Sequence, residues 1–86
     1  MIVRIPTPLR SYTDGAPRVS ATGSTVGEVL VDLDRQFPGL RFRVVDEQGR
    51  LRPHMRVFVG PDMVRDLATP LTGTEEVTLM QALSGG

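Results

Sequence analysis

The alternation of apolar and polar positions predicts short β-strands near both ends of the chain. Four segments repeat with the period of two that is typical of a strand, namely residues 2–5, 18–22, 55–59 and 77–80. Pro6 and Pro8 end the pairing of the first segment, and Asp14-Gly15 is a turn signal before the second. The first two segments therefore predict an antiparallel hairpin.

A helical period occurs at residues 25–37. Thr25 and Glu28 have the spacing of a capping box, in which each side chain accepts a hydrogen bond from an otherwise unpaired backbone N–H. Apolar positions then recur at spacings of three and four, so the helix is expected to cover one face of a sheet. Gly27 lowers the helix propensity by up to ~1 kcal/mol relative to Ala. It indicates either close packing at this position or a glycine that is merely tolerated.

Two stretches carry weaker patterns. Residues 41–45 predict a short strand or an irregular segment, and residues 62–71 predict a loop with at most one helical turn. Together the elements predict one α+β domain over residues 1–86, with a sheet of four or five strands and one main covering helix. The predicted core comprises Val3, Ile5, Val19, Val26, Val29, Leu30, Leu33, Phe37, Val57, Val59, Val77 and Leu79.

Composition excludes several classes of function. Ten basic residues, all of them arginine, balance ten acidic ones, so bulk charge suggests no nucleic-acid partner. The chain has no cysteine and one histidine, His54, which we expect at the surface. We therefore expect no metal site and no thiolate nucleophile. No apolar run approaches the ~20 residues of a membrane span, so we expect a cytoplasmic protein without membrane contact.

Residues 72–86 are the stretch with the clearest functional pattern. A polar turn at residues 73–76 precedes the last predicted strand, and a flexible tail is expected over residues 82–86: Ala82, Leu83, Ser84, Gly85 and Gly86. Terminal glycines also occur in disordered ends and cloning remnants. The strand directly upstream favours a functional tail, because it would anchor the tail at a fixed site. Such a tail can be threaded into another protein.

The reactive group of this tail is the carboxylate of Gly86, which is ionised at neutral pH. Displacement of pyrophosphate from ATP would convert it to an acyl adenylate, which a sulfur or amine nucleophile could attack. The chain has no glycine-rich loop with a lysine for binding phosphates. A partner enzyme is therefore expected to bind the ATP, and we expect no cofactor on the chain itself.

The order of elements, residues 23–30, residues 71–77 and the closing Gly85-Gly86 together resemble the ubiquitin-like β-grasp sulfur carriers. This family includes the small subunit of molybdopterin synthase, the thiamine-pathway carrier and the carrier of actinobacterial cysteine synthesis. The opening residues 5–10 are most similar to the cysteine-synthesis branch. The resemblance implies that an activating enzyme adenylates Gly86, that the carboxylate becomes a thiocarboxylate, and that a synthase accepts the sulfur. The carrier itself would not be an enzyme.

Two alternatives to a sulfur carrier stay open from the residues. A protein modifier would be joined through Gly86 to lysines of other proteins, and a non-covalent interaction domain would not use its C-terminus. The strand alternation predicts a docking surface for partners on the sheet face that the helix leaves bare, and the alternative is that a loop folds over this face. That surface would comprise Ile2, Arg4, Arg56, Phe58 and Met80. The sulfur acceptor could belong to the synthesis of cysteine, molybdopterin, thiamine or another metabolite.

Overall fold

A mixed β-sheet and two α-helices form the part of the chain that the computed structural model describes, residues 1–82. The strands are β1 (Ile2–Arg4), β2 (Arg18–Ser20), β3 (Met55–Val59), β4 (Asp62–Val64) and β5 (Val77–Gln81). The helices are α1 (Val26–Gln36) and α2 (Leu40–Val44), and a 3₁₀-helix spans Thr7–Thr13. The predicted α+β class with a main covering helix is confirmed.

The sheet places its last strand at the centre. Within residues 1–82 it has five strands in the order β2-β1-β5-β3-β4. The predicted hairpin is confirmed, since β1 and β2 are antiparallel and Val3 lies opposite Val19. β5 pairs in parallel with β1 and antiparallel with β3. The chain beyond β5 therefore leaves from the middle of the sheet.

The cap of α1 follows from its sequence. Thr25 Oγ1 accepts a hydrogen bond from the backbone N–H of Glu28 at 3.2 Å, as the capping box predicts. In a standard capping box the Glu28 carboxylate would accept a hydrogen bond from the backbone N–H of Thr25. Here it accepts from the backbone N–H of Ser24, one residue earlier, at 2.9 Å. Both bonds satisfy donors at the start of the helix and hold its first turn in place.

A loop before β5 docks on the first turn of α1. The backbone N–H groups of Val26 and Gly27 donate to the carbonyls of Thr69 and Leu67, at 3.1 and 2.8 Å. A Cβ at Gly27 would lie 3.2 Å from the Leu67 carbonyl oxygen. Of the two interpretations of Gly27, the structure therefore favours close packing.

The prediction of a strand or irregular segment at residues 41–45 was wrong. Leu40 and Val44 are completely buried one helical turn apart, and burial of this i, i+4 pair favours helix α2 over a strand. Gly39, at φ 94°, permits the turn that starts α2. The Asp34 carboxylate accepts from the backbone N–H groups of Gly39 and Arg41, at 3.1 and 3.2 Å.

The prediction of a loop over residues 62–71 was also wrong in its first part. Gly60, at φ 57°, reverses the chain after β3, and Asp62–Val64 returns as β4 with Val64 opposite Val57. Pairing with β3 thus stabilises a segment whose own pattern is weak. The 3₁₀-helix at Thr7–Thr13 was likewise missed, and it occupies most of the connection between β1 and β2.

The core lies between the covered face of the sheet and the helices. Of the predicted core residues, Val19, Phe37 and Val59 are half-buried against it and the others are buried. The structure adds buried residues that the prediction lacked: Leu9, Ala21, Leu40, Val44, Val45, Leu51 and Met55. Most of these come from the 3₁₀-helix, α2 and the segment after it, whose structure the sequence did not reveal.

Candidate functional site

The base of the predicted tail is held by main-chain hydrogen bonds at the centre of the sheet. Gln81, the last residue of β5, lies opposite Met55, and the backbone N–H of Ala82 donates to the carbonyl of His54 at 2.7 Å. Ala82 is half-buried there. The other predicted tail residues, Leu83, Ser84, Gly85 and Gly86, lie outside the described residues. The described part of the site is therefore the end of β5, where Gln81 and Ala82 are held by Met55 and His54. We call this part of the sheet the platform.

A carboxylate holds the turn that leads into β5. Glu75 accepts hydrogen bonds at 3.0 Å from the backbone N–H groups of Thr72 and Gly73. The Thr72 backbone bond is the largest cause that lowers the pKa of Glu75 below its ordinary value, and other donors of the turn act in the same direction. Glu75 thus fixes the entry to the central strand.

The predicted docking residues share the sheet face opposite the helices. Strand alternation turns Val57, Val77 and Leu79 toward the core, so their neighbours in β3 and β5 point the other way. Ile2 and Met80 are 41% and 47% exposed, and Phe58 is half-buried. Phe58 lies opposite Thr78 and Met80 lies opposite Arg56. We call the five predicted residues Ile2, Arg4, Arg56, Phe58 and Met80 the bare-face surface.

Both arginines of the bare-face surface have partners on the chain. The Arg4 guanidinium pairs with the Glu76 carboxylate, and the Arg4 side chain is 52% exposed. The Arg56 guanidinium donates to the carbonyls of Pro53 and Met55, at 2.7 and 3.0 Å. These bonds orient the two cations beside the apolar residues.

The long side chains of Met63 and Arg18 also lie on this face, and the predicted docking surface did not include them. Met63 of β4 lies opposite Phe58 and is 55% exposed, and Arg18 of β2 lies opposite Arg4. Met63 was missed because β4 was not predicted. Arg18 was in a predicted strand, and the hairpin pairing was the signal that could have added it to the surface.

Residues 1–82 contain neither a cluster of metal ligands nor a membrane-spanning helix. Over that range no group of three or more His, Asp and Glu side chains stands together in a way that could hold a metal ion. Across the same residues, no helix is both long and apolar enough to cross a membrane.

Comparison with known proteins gives agreement over nearly the whole chain. A model of the ThiS family matches residues 3–86. The sulfur carrier protein CysO of Mycobacterium tuberculosis is 37% identical over an alignment 89 positions long, which covers 98% of this chain and 96% of that protein. The crystal structure of M. tuberculosis CysO matches with a TM-score of 0.90 at 36% identity, covering 95% of this chain and 98% of that one.

Two other solved structures show the same architecture. In the crystal structure of the Amycolatopsis orientalis BexX/CysO complex, a chain matches with a TM-score of 0.91 at 33% identity, covering 99% of this chain and 98% of that one. SAMP1 from Haloferax volcanii matches with a TM-score of 0.78 at 28% identity, covering 100% of this chain and 98% of that one. The predicted β-grasp fold is confirmed by these matches.

Proposed function

We propose, from the premise that this chain belongs to the ThiS family, that it is a sulfur carrier whose sulfur is borne on the carboxyl group of Gly86. One observation carries the proposal: the match to sulfur carrier protein CysO covers 98% of this chain. The family match, which extends through residue 86, agrees with it. In this proposal residues 1–86 form one carrier domain, and residues 82–86 are the tail that enters the partner.

The proposed activation uses two steps on a partner enzyme. An oxygen of the Gly86 carboxylate attacks the α-phosphorus of ATP, and pyrophosphate leaves, so that an acyl adenylate forms. A hydrosulfide ion, supplied as the sulfur source, then attacks the acyl carbon, the acyl–phosphate C–O bond breaks and AMP leaves, and loss of the S–H proton yields the thiocarboxylate. Glycine suits the reacting position because it has no Cβ to hinder approach to the carbonyl. ATP is a substrate of the partner, and we place the reaction in the cytoplasm.

The platform supports this proposal through geometry. The tail begins at Ala82, beside the end of the central strand, and main-chain bonds hold that end to β3. A partner bound to the sheet would find the start of the tail at the same position in every complex. This positioning favours reaction because less translational and rotational entropy is lost at the transition state. A sulfur-accepting synthase would then receive the same tail. The CysO chain of the BexX/CysO complex is a relative whose structure was solved with a second protein.

The bare-face surface is the proposed docking site for the activating enzyme. It combines the exposed apolar side chains of Ile2 and Met80 with an aromatic residue, Phe58, and with oriented arginines. Aromatic, Met and Arg side chains are enriched in protein interfaces and provide many of their energetically dominant contacts. The exposed end of β5 places this surface next to the tail.

The first experiment tests the tail. We would incubate the chain with its activating enzyme, ATP and a sulfur source, and follow pyrophosphate release and intact mass. The expected product has one oxygen replaced by sulfur. Deletion of Gly85 and Gly86 should abolish both signals, because Ser84 would end about 7 Å short at ~3.3–3.6 Å per extended residue. The shortened chain should differ from wild type by no more than ~0.5 kcal/mol in free energy of unfolding.

The same assay separates the alternatives. A modifier would give a product whose mass increases by that of a whole acceptor protein, and a non-covalent domain would release no pyrophosphate. The shortened chain serves as the control, since a sulfur gain by a chain that ends at Ser84 would show that Gly86 is not the carrier group.

The second experiment tests the docking site. Phe58→Asp should lower kcat/KM for activation at least tenfold, because loss of a dominant aromatic contact costs about 2 kcal/mol or more and ~1.4 kcal/mol is tenfold. Val31→Asp is the matched control, since Val31 is 57% exposed on the outer side of α1. Equal activation rates for Phe58→Asp and wild type would refute the docking assignment.

A further inference from the structure

A cleft of about 240 Å³ lies beside the point where the tail leaves the sheet. Its lining residues come from the 3₁₀-helix, α2, the segment before β3 and the end of β5: Leu9, Phe42, Arg43, Arg52, His54 and Gln81. Gln81 alternates with Met80 along β5, so the cleft lies on the side of that strand opposite the bare-face surface. The tail is therefore flanked by two distinct surfaces.

An arginine in this cleft is held in a defined position. Arg52 Nε donates to the carbonyl of Phe42 at 2.7 Å, and the Arg52 guanidinium lies 4.6 Å from the centre of the Phe42 ring. The backbone N–H of Arg52 also donates to Val44 at 2.9 Å. An arginine restrained in this way loses little conformational freedom when its remaining N–H donors bind an acceptor.

The lining of the cleft is basic. Arg43 and Arg52 contribute two cations, and the six lining residues include no aspartate or glutamate. Arg43 is exposed and, within residues 1–82, forms no ion pair. Phe42 is 54% exposed beside these arginines. Arginine and an exposed aromatic residue at one place form a composition that is enriched in protein interfaces.

The tail is short, so an enzyme that binds Gly86 must come close to the cleft. Gly86 is four residues beyond Ala82, and four residue steps of extended chain span at most about 14 Å. An enzyme that encloses Gly86 therefore has its protein surface close to Ala82, and Ala82 is hydrogen-bonded to His54 of the cleft. The reacting phosphate of ATP would lie at the far end of an extended tail, so the group nearest the cleft would belong to the enzyme wall.

We propose that this cleft binds a carboxylate side chain, aspartate or glutamate, on the wall of the activating enzyme that surrounds the tail. The proposal rests on the carrier function proposed above and adds a second contact to it. Arg43 and Arg52 would donate to the carboxylate oxygens, and Phe42 would shield the pair from water. Arginine suits this role because its planar fork of donors matches a carboxylate. The cleft and the bare-face surface lie on opposite sides of β5. Contacts at both would therefore fix the orientation of the tail relative to the enzyme.

The test is charge reversal in the full chain, assayed with the activating enzyme, ATP and a sulfur source. Arg43→Glu should raise KM for the carrier about tenfold at low ionic strength, because juxtaposed like charges disfavour association. The difference from wild type should shrink as salt is added. Arg50→Glu is the matched control, since Arg50 is an exposed arginine in the turn after α2 and does not line the cleft. It should leave KM nearly unchanged.

Two further measurements keep the outcomes separable. Arg43→Ala removes the charge without adding a new one, and it should raise KM less than Arg43→Glu does. Thermal unfolding should show both variants folded at the assay temperature. Equal KM values for Arg43→Glu and Arg50→Glu, or an effect of Arg43→Glu that does not depend on salt, would overturn the proposal. If the wild-type chain itself releases no pyrophosphate and gains no sulfur, the carrier function is at fault instead.

Discussion

Replacing Gly23 by alanine should destabilise the fold far more than the same change at Gly27. Gly23 lies in the connection between β2 and α1, where its Cα faces the first turn of the helix. An added Cβ would lie 2.6 Å from the backbone nitrogen of Val29 and 2.9 Å from the carbonyl carbon of Glu28. These are main-chain atoms of α1, so a rotamer change cannot relieve the overlap. Either the connection or the helix must move.

The cost can be compared between the two glycines. Overpacking that shifts the backbone costs typically about 1–3 kcal/mol, and each kcal/mol changes Tm by roughly 4–8 °C in a domain of this size. Gly23→Ala should therefore lower Tm by about 4–24 °C. At Gly27 the added Cβ would lie 3.2 Å from the carbonyl oxygen of Leu67. This crowding opposes a gain of up to ~1 kcal/mol in helix propensity, so the net change should stay within about 1 kcal/mol.

Thermal and urea unfolding followed by circular dichroism measure both effects. The two variants add the same methyl group to glycines four residues apart, so each controls for the other. The dependence of unfolding free energy on urea should stay the same if both variants keep the native and unfolded ensembles of wild type. A larger loss of stability from Gly27→Ala than from Gly23→Ala, or a Gly23→Ala variant that unfolds at the temperature of wild type, would contradict the predicted overlap with α1.

Three other changes test how the platform is held. Thr25→Ala should cost about 0.5–2 kcal/mol in unfolding free energy, because it removes the side chain that caps α1; Thr22→Ala, outside the helix, is its control. Leu40→Ala should cost about 2–5 kcal/mol in chemical denaturation, because Leu40 is completely buried in α2, and a cost near zero would contradict the packing. For Glu75, backbone donors lower the pKa of the folded state, so the ionised carboxylate stabilises the fold above its unfolded pKa. The stability advantage of wild type over Glu75→Gln should be present at neutral pH and lost as pH falls through the lowered pKa, and an advantage that persists in acid would contradict this linkage.

Local patterns in the sequence were sufficient for the elements that carry their own signal. α1 combines a capping pair at Thr25 and Glu28 with a continuous apolar stripe, so both its start and its buried face could be predicted. β3 and β5 alternate regularly because one face is buried and the other is bare. The same alternation predicted which side chains share the face that carries Phe58 and Met80. The resemblance of the whole chain predicted the family.

Long-range pairing and packing decided the remaining structure. β4 exists because Asp62–Val64 pairs with β3 across a tight turn, and a three-residue strand has too short a pattern to be recognised alone. The alternation of residues 41–45 resembles a strand, but the burial of Leu40 and Val44 one turn apart favours α2. The central position of β5 depends on its parallel pairing with β1, which brings together segments more than seventy residues apart. The cleft beside the tail draws residues from four separate segments. It could not be read from the sequence because its residues become neighbours only when the chain folds around the shared core.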